Sequence, residues 1–361
     1  MELQSKVNMF EPYRMGSIEL SNRIIMAPMT RSRAIGNLAN DMIAEYYTQR
    51  ASAGLIISEG IAPSPNGLGY ARIPGLFNEA QVASWKKVTD AVHNAGGKIF
   101  AQIMHTGRVS HSANMPAGAK VVAPSAVAAT GDIWTDTEAM QPMPVPSAMT
   151  AEEVASTILE YVQSAQNAID AGFDGIELHG ANGYLLEQFL NPGVNQRTDN
   201  YGGSIENRAR FVIEVAKAVA DKIGKEKVGL RISPYNPYNS MPAYDEVFAT
   251  YDYLSKELNK IGIVYLHMID YAARATEEGL ALIQTIRNNF TNTLILNGGY
   301  NKKRAEEVLA NGLTDAVSFG TPFVSNPNLP HKLQHAVELN TADPALFFSA
   351  GKEGFIDYPL N

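Results

Sequence analysis

Cysteine is absent from this sequence of 361 residues. A disulfide framework, a thiolate nucleophile and a cysteine-ligated metal site are therefore excluded, and the lack of cysteine is compatible with the cytoplasm. Long hydrophobic runs are absent as well. No stretch reaches the length that spans a bilayer, and the first ten residues, MELQSKVNMF, lack the apolar segment of a signal peptide. We therefore expect a soluble, cytoplasmic protein.

Positive charge is also scarce, because 29 Lys and Arg residues stand against 37 Asp and Glu residues and leave a net charge of −8. Nucleic acids and anionic membranes bind proteins that present a concentrated positive field. Neither is an expected partner, and a small molecule is the expected ligand. A metal ion is not expected either, because His105 and His111 have no carboxylate or second histidine at metal spacing. The oligomeric state stays open between a monomer and a small homo-oligomer.

What the sequence does contain is a regular alternation of short apolar runs with longer helical patterns. A hydrophobic content of 45% provides for a large core. The apolar runs predict strands at residues 23–28, 55–59, 98–103, 175–178, 227–232, 263–267, 293–296 and 316–319. Helical patterns occupy residues 40–53 with Gly54 as the stop, 79–94, 150 to about 172, 205–223, 244–260, 276–289 and 302–311. This alternation without a linker predicts an α/β fold, a closed (β/α)8 TIM barrel that forms a single domain over residues 1–361. A doubly wound sheet is the alternative.

Two segments fall outside the alternation. Residues 16–22 predict a small N-terminal hairpin over the floor of the barrel. Residues 104–149, after the third strand, lose their periodicity and are rich in Pro, Ala, Met and Ser, which is typical of a functional excursion or lid. The next helix has a predicted capping box made by Thr150 and Glu153, and Ser204 is the predicted cap of the helix after the fourth strand.

A barrel interpretation also locates the site, because TIM barrels carry their chemistry at the carboxyl ends of the strands. Those positions hold Pro28, Met29, Thr30, Gly60, Gln102, His105, His179, Asn182, Arg231, His267, Gly298, Gly299, Gly320 and Thr321. Glycines after the last two strands can hold a phosphate on backbone N–H groups, although Gly298 and Gly299, read alone, fit an ordinary tight turn equally well. Arg231 requires an anion, because an unpaired buried guanidinium is costly.

The densest polar cluster follows the predicted fourth strand, where His179, Asn182 and Tyr184 lie within six residues. If the turn there is helical, His179 and Asn182 stand on one face and could donate to one oxygen of a ligand. The alternatives are that both residues hydrogen-bond the loop backbone and that Tyr184 is a core aromatic. Tyr70 and Phe355 are candidate pocket walls, with simple packing as the alternative for each.

These residues lie in runs that resemble the old yellow enzyme family of flavin-dependent ene-reductases. The most specific run is HGANGYLLEQFLNPGVNQRTDNYGGSIENRAR at residues 179–210. The same pattern continues in APMTRSRA (27–34), EYYTQRASAGLIISEG (45–60), QIMHTGR (102–108), LRISP (230–234) and EGFIDYP (353–359), in the family's order. The resemblance covers nearly the whole chain.

The resemblance implies a barrel that binds FMN without covalent attachment and uses NADPH or NADH to reduce the C=C bond of enones and similar activated alkenes. Nitro compounds and nitrate esters are further candidate substrates. The flavin contacts it implies are Pro28, Met29 and Thr30 beside the ring, Gly60, Gln102 at the pyrimidine edge, Arg231 near N1 and O2, and Gly298, Gly299, Gly320 and Thr321 at the phosphate. His179 and Asn182 would donate to the substrate carbonyl, and Tyr184 would protonate the α-carbon. The absence of a GxGxxG motif agrees, because nicotinamide would stack briefly on the flavin face.

Four positions depart from the family pattern. Thr321 stands where an arginine usually holds the FMN phosphate, and this departure predicts weaker binding of that phosphate. Met104 replaces a frequent tryptophan, Phe355 a frequent tyrosine, and Ser147 lies near a position that is often arginine. These three changes reshape the expected substrate pocket, in which Tyr70, Met104 and Phe355 are the expected walls.

Two other classes of function compete with this interpretation. One is a flavin-free barrel lyase or isomerase, which would need a lysine or a carboxylate at a strand end. Only Glu59 meets that requirement. The other is a non-catalytic flavin binder, which would have lost His179, Asn182 or Tyr184, whereas all three are present.

Overall fold

The computed structural model describes residues 7–360. Eight parallel strands close into a barrel in which each strand pairs with its neighbours in the chain and the last pairs with the first. The strands are β1 (Ile24–Met26), β2 (Leu55–Ile61), β3 (Ile99–Ile103), β4 (Gly175–Gly180), β5 (Val228–Ile232), β6 (Tyr265–Ile269), β7 (Thr293–Asn297) and β8 (Ala316–Phe319). This topology confirms the predicted barrel and removes the doubly wound sheet.

Helices connect the strands and cover the outside of the barrel. The longer ones are α1 (Asp41–Thr48), α2 (Glu79–Asn94), α3 (Ala151–Asp170), α4 (Ile205–Ile223), α5 (Val247–Ile261), α6 (Glu277–Asn289) and α7 (Lys302–Ala310). Shorter helices lie at Leu185–Leu190, Thr321–Ser325 and Leu329–Gln334. Over residues 7–360, no helix combines the length and the apolar character needed to cross a membrane.

Side chains along each strand alternate between the helices and the barrel interior, as the pleat requires. Outward residues such as Ile176, Leu178 and Leu230 belong to the large apolar core beneath the helices. The inward residues form two layers. The lower layer is apolar except for the Tyr265 hydroxyl and contains Ile25, Ile57, Phe100, Gly175, Gly229, Tyr265, Ile295 and Ala316. The upper layer, two residues further along six of the strands, contains Gln102, Glu177, Arg231, His267, Asn297 and Ser318.

Two glycines make the lower layer possible. A Cβ at Gly229 would lie 2.1 Å from the Tyr265 ring, and a Cβ at Gly175 would lie 2.4 Å from the Phe100 ring. The two rings fill the space that the glycines leave, with their centroids 5.8 Å apart. The lower interior is therefore packed solid by a pairing of the smallest residue with large aromatic residues.

An antiparallel hairpin, Tyr13–Met15 with Ile18–Leu20, closes the barrel from below. Met15 and Leu20 pack on the lower layer, and the Tyr13 hydroxyl lies 2.8 Å from Thr293 Oγ1 at the start of β7. The predicted hairpin over the floor is confirmed, although its first strand begins ahead of the predicted range.

The helix caps follow the sequence signals. The Thr150 N–H donates to Glu153 Oε2 at 2.8 Å, and the Glu153 N–H donates to Thr150 Oγ1 at 3.1 Å, so the predicted capping box of α3 is confirmed. Ser204 caps α4 as predicted. The prediction for α1 is wrong at its end, because the helix stops at Thr48. Gly54 has another role: a Cβ there would lie 2.1 Å from the backbone oxygen of Asn22.

The excursion after β3 contains more regular structure than its sequence indicates. Residues Asp132–Thr135 and Ala139–Pro142 form an antiparallel hairpin, which we call the rim hairpin. Its first strand alternates between exposed and buried residues, with Ile133 buried and half of Trp134 exposed. An alternation over four residues is too short to separate from an irregular loop in the sequence.

Candidate active site

A cleft of about 850 Å³ opens where the carboxyl ends of the barrel strands meet. The structure brings most of the sequence-predicted site residues into its lining: Pro28, Met29, Thr30, Tyr70, Gln102, Met104, His179, Asn182, Tyr184, Arg231 and Thr321. They come from six separate parts of the chain, so only the closed barrel brings them together.

A buried polar network forms the layer beneath this cleft. Glu177 accepts hydrogen bonds from Gln102 Nε2 at 2.8 Å and from His267 Nδ1 at 2.8 Å. The other nitrogen of His267 lies 2.8 Å from Ser318 Oγ. Burial opposes ionisation of Glu177, but His267, Arg231 and Gln102 outweigh it and the pKa of this carboxyl is lowered. Burial also lowers the pKa of His267, so a neutral imidazole donates its Nδ1–H to a carboxylate. His267 is thus the satisfied strand-end histidine that its position suggests.

Arg231 projects from β5 into the same layer. Its Nη2 donates to Asn297 Oδ1 at 2.9 Å, and its Nε is buried with no hydrogen-bond partner among residues 7–360. Burial lowers the pKa of Arg231, while the nearby Glu177 carboxylate raises it. A guanidinium remains protonated in proteins. The cleft floor therefore carries a fixed cation with an unused N–H group.

His179 lies on β4 itself, because this strand continues to Gly180 rather than ending at Leu178 as predicted. Burial, followed by the nearby Arg231 cation, holds the pKa of His179 well below its usual range. Its neutral imidazole offers one N–H donor and one acceptor. In the described part of the chain, its buried Nδ1 has no hydrogen-bond partner.

The turn after β4 is not helical, so the condition for placing His179 and Asn182 on one helical face is not met. Asn182 and Gly183 have φ values of 58° and 75°, in the left-handed region. An Asn-Gly pair is itself a signal for such a turn, and it is present in the sequence. Both residues nevertheless line the same cleft, because His179 lies near the end of the strand and Asn182 lies in the turn that follows it.

A buried carboxylate supports this turn from behind. Glu187 Oε2 accepts from the Gly183 N–H at 2.6 Å, and Glu187 Oε1 accepts from Ser233 Oγ at 2.9 Å and Tyr251 OH at 2.8 Å. Ser233 Oγ in turn accepts from the Asn182 N–H at 2.8 Å. Burial raises the pKa of Glu187 to about 7, against the hydrogen bonds that stabilise its charged form.

Tyr184 presents its hydroxyl to the cleft. The hydroxyl lies 3.0 Å from that of Tyr70, and the Tyr184 ring meets the His179 ring edge-on with centroids 4.9 Å apart. Burial raises the pKa of Tyr184 to about 12. The phenol is therefore protonated at neutral pH and lies beside a second phenol.

The predicted glycines lie near the cleft but are not part of its lining. A Cβ at Gly60 would lie 2.6 Å from Met104 Sδ, so Gly60 lets that side chain approach β2. Among residues 7–360, no atom lies within 4 Å of where a Cβ on Gly299, whose φ is 71°, would lie. A Cβ at Gly298 would collide with Asp270 Oδ1, and a Cβ at Gly320 would lie 3.6 Å from Met29 Sδ. The backbone after β7 and β8 is therefore open at Gly299 and crowded at Gly298.

Phe355 requires a correction. It is fully buried and stacks on Tyr46 with ring centroids 4.1 Å apart, and the guanidinium groups of Arg31 and Arg33 lie over its ring. It does not line the cleft, so the expectation of a pocket wall at this position is wrong. The backbone of its segment is used instead, because Arg31 Nη2 donates to the oxygen of Gly354 at 2.6 Å.

The rim of the cleft was missed by sequence reasoning. Trp134 and Met140 of the rim hairpin, with Tyr238 and Phe348, line the outer cleft and are each about half or more exposed. Arg72 ties this rim together, since it pairs with Asp136 and donates to the backbone oxygen of Phe348. No local signal marks these residues, because they converge only through the tertiary fold.

The sequence model of the NADH:flavin oxidoreductase / NADH oxidase family matches residues 8–340. A probable flavin mononucleotide-dependent alkene reductase of Leishmania infantum is 42% identical over 357 residues, which cover 98% of this chain and 97% of that protein. The 12-oxophytodienoate reductase 1 of Oryza sativa subsp. japonica is 39% identical over 362 residues, which cover 98% and 93%.

Solved structures give the same result. Morphinone reductase in complex with tetrahydroNAD superposes with a TM-score of 0.93 at 42% identity, covering 98% of this chain and 97% of that chain. An old yellow enzyme homologue from Zymomonas mobilis superposes with a TM-score of 0.93 at 37% identity, covering 98% and 99%. The likeness thus extends over whole chains in sequence and in fold.

Proposed function

The chain belongs to the NADH:flavin oxidoreductase / NADH oxidase family, which includes the old yellow enzymes, and we propose the roles of its individual residues from that premise. It is an FMN-dependent oxidoreductase that uses NAD(P)H to reduce the C=C bond of activated alkenes. The α,β-unsaturated carbonyls are the principal substrates. Nitro compounds and nitrate esters are proposed as further ones.

The donors and acceptors of the cleft floor fit FMN. The pyrimidine edge of a flavin alternates carbonyl acceptors with an N–H donor. Gln102 gives its Nε2 to Glu177, which leaves its Oε1 as an acceptor, and Arg231 has an N–H that no described residue uses. These two residues would hold the pyrimidine edge, with Pro28, Met29, Thr30 and Gly60 beside the ring and Gly298, Gly299, Gly320 and Thr321 around the phosphate. A fixed cation at the pyrimidine edge favours the negative charge that reduction places there.

When bound, FMN would supply the hydride chemistry, with NADPH or NADH as the source of the hydride and the β-carbon of the alkene as its acceptor. His179 and Asn182 donate hydrogen bonds to the substrate carbonyl oxygen. Both line the cleft, and the depressed pKa of His179 keeps it a neutral donor with no charge to desolvate. Donors aimed at the oxygen of a forming enolate stabilise the transition state more than the ground state.

Tyr184 gives a proton to the α-carbon. Its pKa of about 12, raised by burial, keeps the phenol protonated at neutral pH. The Tyr70 hydroxyl, 3.0 Å away, is positioned to stabilise Tyr184 after the proton has left. Tyr70 and Met104 then form walls of the substrate pocket. The alternative for Tyr184, a core aromatic, does not account for a residue that lines the cleft and whose hydroxyl lies 3.0 Å from that of Tyr70.

Neither competing class of function is favoured. Glu59, the strand-end carboxylate that the sequence offers to a flavin-free lyase or isomerase, is 1% exposed and does not line the cleft. A non-catalytic binder would not need His179, Asn182 and Tyr184 in one cleft. We propose further that the protein acts in the cytoplasm, as a monomer or a small homo-oligomer, and that it does not bind nucleic acid.

The observation that carries this proposal is the convergence of His179, Asn182 and Tyr184 above the Gln102 and Arg231 floor. Its test is the absorbance spectrum of the purified protein. We expect a yellow protein with an FMN-like spectrum that NAD(P)H bleaches and oxygen restores. A colourless protein that added FMN does not reconstitute would contradict the proposal.

A further inference from the structure

We infer that Asn236 is a positioning residue that fixes which end of the Asn182 amide faces the substrate. This inference rests on the proposed function, in which Asn182 donates to the substrate carbonyl. Asn236 lies in the loop after β5, on a different segment from the turn that it acts on. The two residues meet only because the barrel places the ends of β4 and β5 side by side.

The backbone of Asn182 is already held in place. Its N–H donates to Ser233 Oγ at 2.8 Å, and its carbonyl oxygen accepts from Asn239 Nδ2 at 2.8 Å. These bonds leave the side-chain amide as the group whose orientation is still to be decided. The oxygen and nitrogen ends of an amide have nearly the same shape, so packing cannot choose between them and hydrogen-bond polarity must.

Asn236 supplies that polarity from a backbone group. The Tyr238 N–H can only donate, and it donates to Asn236 Oδ1 at 3.2 Å. The nitrogen end of Asn236 must therefore point the other way, and Nδ2 donates to Asn182 Oδ1 at 3.1 Å. Asn182 is obliged to present its oxygen to Asn236. Its Nδ2 is then left for the cleft, which Asn182 lines.

The loop that carries Asn236 is itself anchored. Asn239 and Ser240 are in the left-handed region, each with φ 55°, which fixes the path of the chain. The Arg108 guanidinium donates to the oxygen of Ser240 at 2.9 Å. Asn236 is therefore held by a rigid segment. The Tyr238 N–H sets the orientation of the Asn236 amide, and the Asn236 amide sets the orientation of the Asn182 amide.

The orientation matters because the wrong one reverses the interaction with the substrate. With Nδ2 toward the cleft, Asn182 donates to a carbonyl or enolate oxygen. With Oδ1 toward the cleft, it would place an acceptor against another acceptor. Loss of one such donor costs about a hundredfold to a thousandfold in rate in an oxyanion site.

The test inverts the polarity at position 236. In Asn236→Asp the new carboxylate accepts from the Tyr238 N–H and offers only an acceptor to Asn182, whose amide then turns its Oδ1 to the cleft. We expect FMN content and melting temperature close to wild type. We expect the long-wavelength absorbance band of a bound para-substituted phenol to need at least tenfold more phenol, and kcat/KM for cyclohexenone to fall by roughly a hundredfold.

Asn236→Ala is the matched variant, since it removes the constraint without inverting it. With the two orientations of Asn182 equally populated, phenol affinity should fall only roughly twofold, because half of the molecules are competent. Both substitutions are repeated in the Asn182→Ala background. In that background the charge of Asp at position 236 still acts on the site, but no effect can pass through the Asn182 amide. The double-mutant cycle therefore isolates the effect that depends on Asn182.

The outcomes separate this inference from the function on which it rests. If wild type neither binds phenols nor reduces cyclohexenone, the proposed function fails. If wild type does both and Asn236→Asp behaves like wild type, or loses as much in the Asn182→Ala background, the role of Asn236 is overturned. If Asn236→Asp does not retain FMN, Asn236→Ala decides the matter: a loss that vanishes without Asn182 supports the inference, and a loss that persists overturns it.

Discussion

The two layers of the barrel interior differ although they lie on the same strands. In the lower layer, Phe100, Tyr265 and Ile295 fill the space between the strands. Two residues further along the same strands stand Gln102, His267 and Asn297. The polar group of the lower layer, the Tyr265 hydroxyl, is satisfied because it donates to Glu177 Oε2 at 3.0 Å. The upper layer contains the Arg231 guanidinium, whose Nε has no hydrogen-bond partner among the residues the structure describes.

This difference separates stability from function along one chain. Packed apolar residues at the amino ends of the strands stabilise the barrel. Buried polar groups with incomplete hydrogen bonding at the carboxyl ends lower stability and are available to bind a ligand. Substitutions in the lower layer should therefore change stability with little effect on chemistry. Substitutions in and above the upper layer should do the reverse.

The largest effect should come from removing both proposed carbonyl donors. Replacing His179 and Asn182 together with Ala should abolish the phenol band and slow cyclohexenone reduction by roughly a thousandfold or more, because the enolate oxygen loses its donors. The melting temperature should change little. Stopped-flow measurement of the alkene half-reaction checks this, and a double variant that still binds phenols and reduces enones normally would sink the assigned roles.

Next in size is the proton donor. Tyr184→Phe should slow reoxidation of the reduced flavin by cyclohexenone by about a hundredfold, since that half-reaction includes the proton transfer. Oxidation of NAD(P)H should stay nearly intact, and strongly activated nitroalkenes should suffer less, because their product can wait for a proton from solvent. Equal losses in both half-reactions would instead mark Tyr184 as structural.

The lower layer gives the opposite signature. Ile295→Ala removes a fully buried side chain and should lower the free energy of unfolding by about 2 to 5 kcal/mol. The flavin spectrum, phenol affinity and KM of the surviving folded enzyme should match wild type at low temperature. Urea unfolding and steady-state kinetics on the same preparation check both halves, and a change in phenol affinity would break the separation between the layers.

Thr321 gives a smaller effect, on cofactor affinity. Thr offers one hydroxyl and its backbone N–H, whereas Thr321→Arg would add a charged grip on the FMN phosphate worth on the order of 1.5 to 3 kcal/mol, or roughly tenfold to a hundredfold in Kd. Riboflavin, which lacks the phosphate, is the control ligand. Equal tightening of both flavins, or of neither, would show that position 321 does not face the phosphate.

The smallest effect concerns pH and Glu187. Its pKa in the folded protein, about 7, is raised above the value of about 4.3 expected when unfolded. A raised pKa contributes stability that is full below the unfolded value and is lost as pH rises through the folded one. The stability of Glu187→Gln relative to wild type should therefore rise by roughly 1 to 3 kcal/mol between about pH 5 and pH 8. A difference that does not change with pH would contradict the shifted carboxyl.

Local signals in the sequence were sufficient for much of the fold. The Thr150 and Glu153 capping box and the alternation of apolar runs with helical patterns depend on neighbours within a few residues. Strand ends were harder to predict: β6 runs from Tyr265 to Ile269, two residues beyond the predicted range, because the apolar run IVYLHMI contains no breaking residue. A barrel fold then placed the ends of separate strands in one cleft.

Contacts between distant loops could not be predicted in the same way. The rim hairpin, the Arg72 pairing with Asp136 and the hydrogen bond from Asn236 to Asn182 join residues far apart in the chain, and they depend on side-chain packing rather than on any local pattern. Phe355 shows the related error. The motif that contains Phe355 predicts a segment near the cleft. It does not determine on which side of that segment the Phe355 ring lies.

One measurement tests the central claim most directly. The enzyme is reduced anaerobically with a single equivalent of NADPH or NADH and then mixed with cyclohexenone, while flavin absorbance and product are followed together. We predict that the oxidised flavin spectrum returns with the formation of one cyclohexanone for each flavin, and that the His179 and Asn182 double variant is reduced but not reoxidised on the same timescale. Full bleaching by nicotinamide with no cyclohexanone formed by the wild-type enzyme would contradict the account.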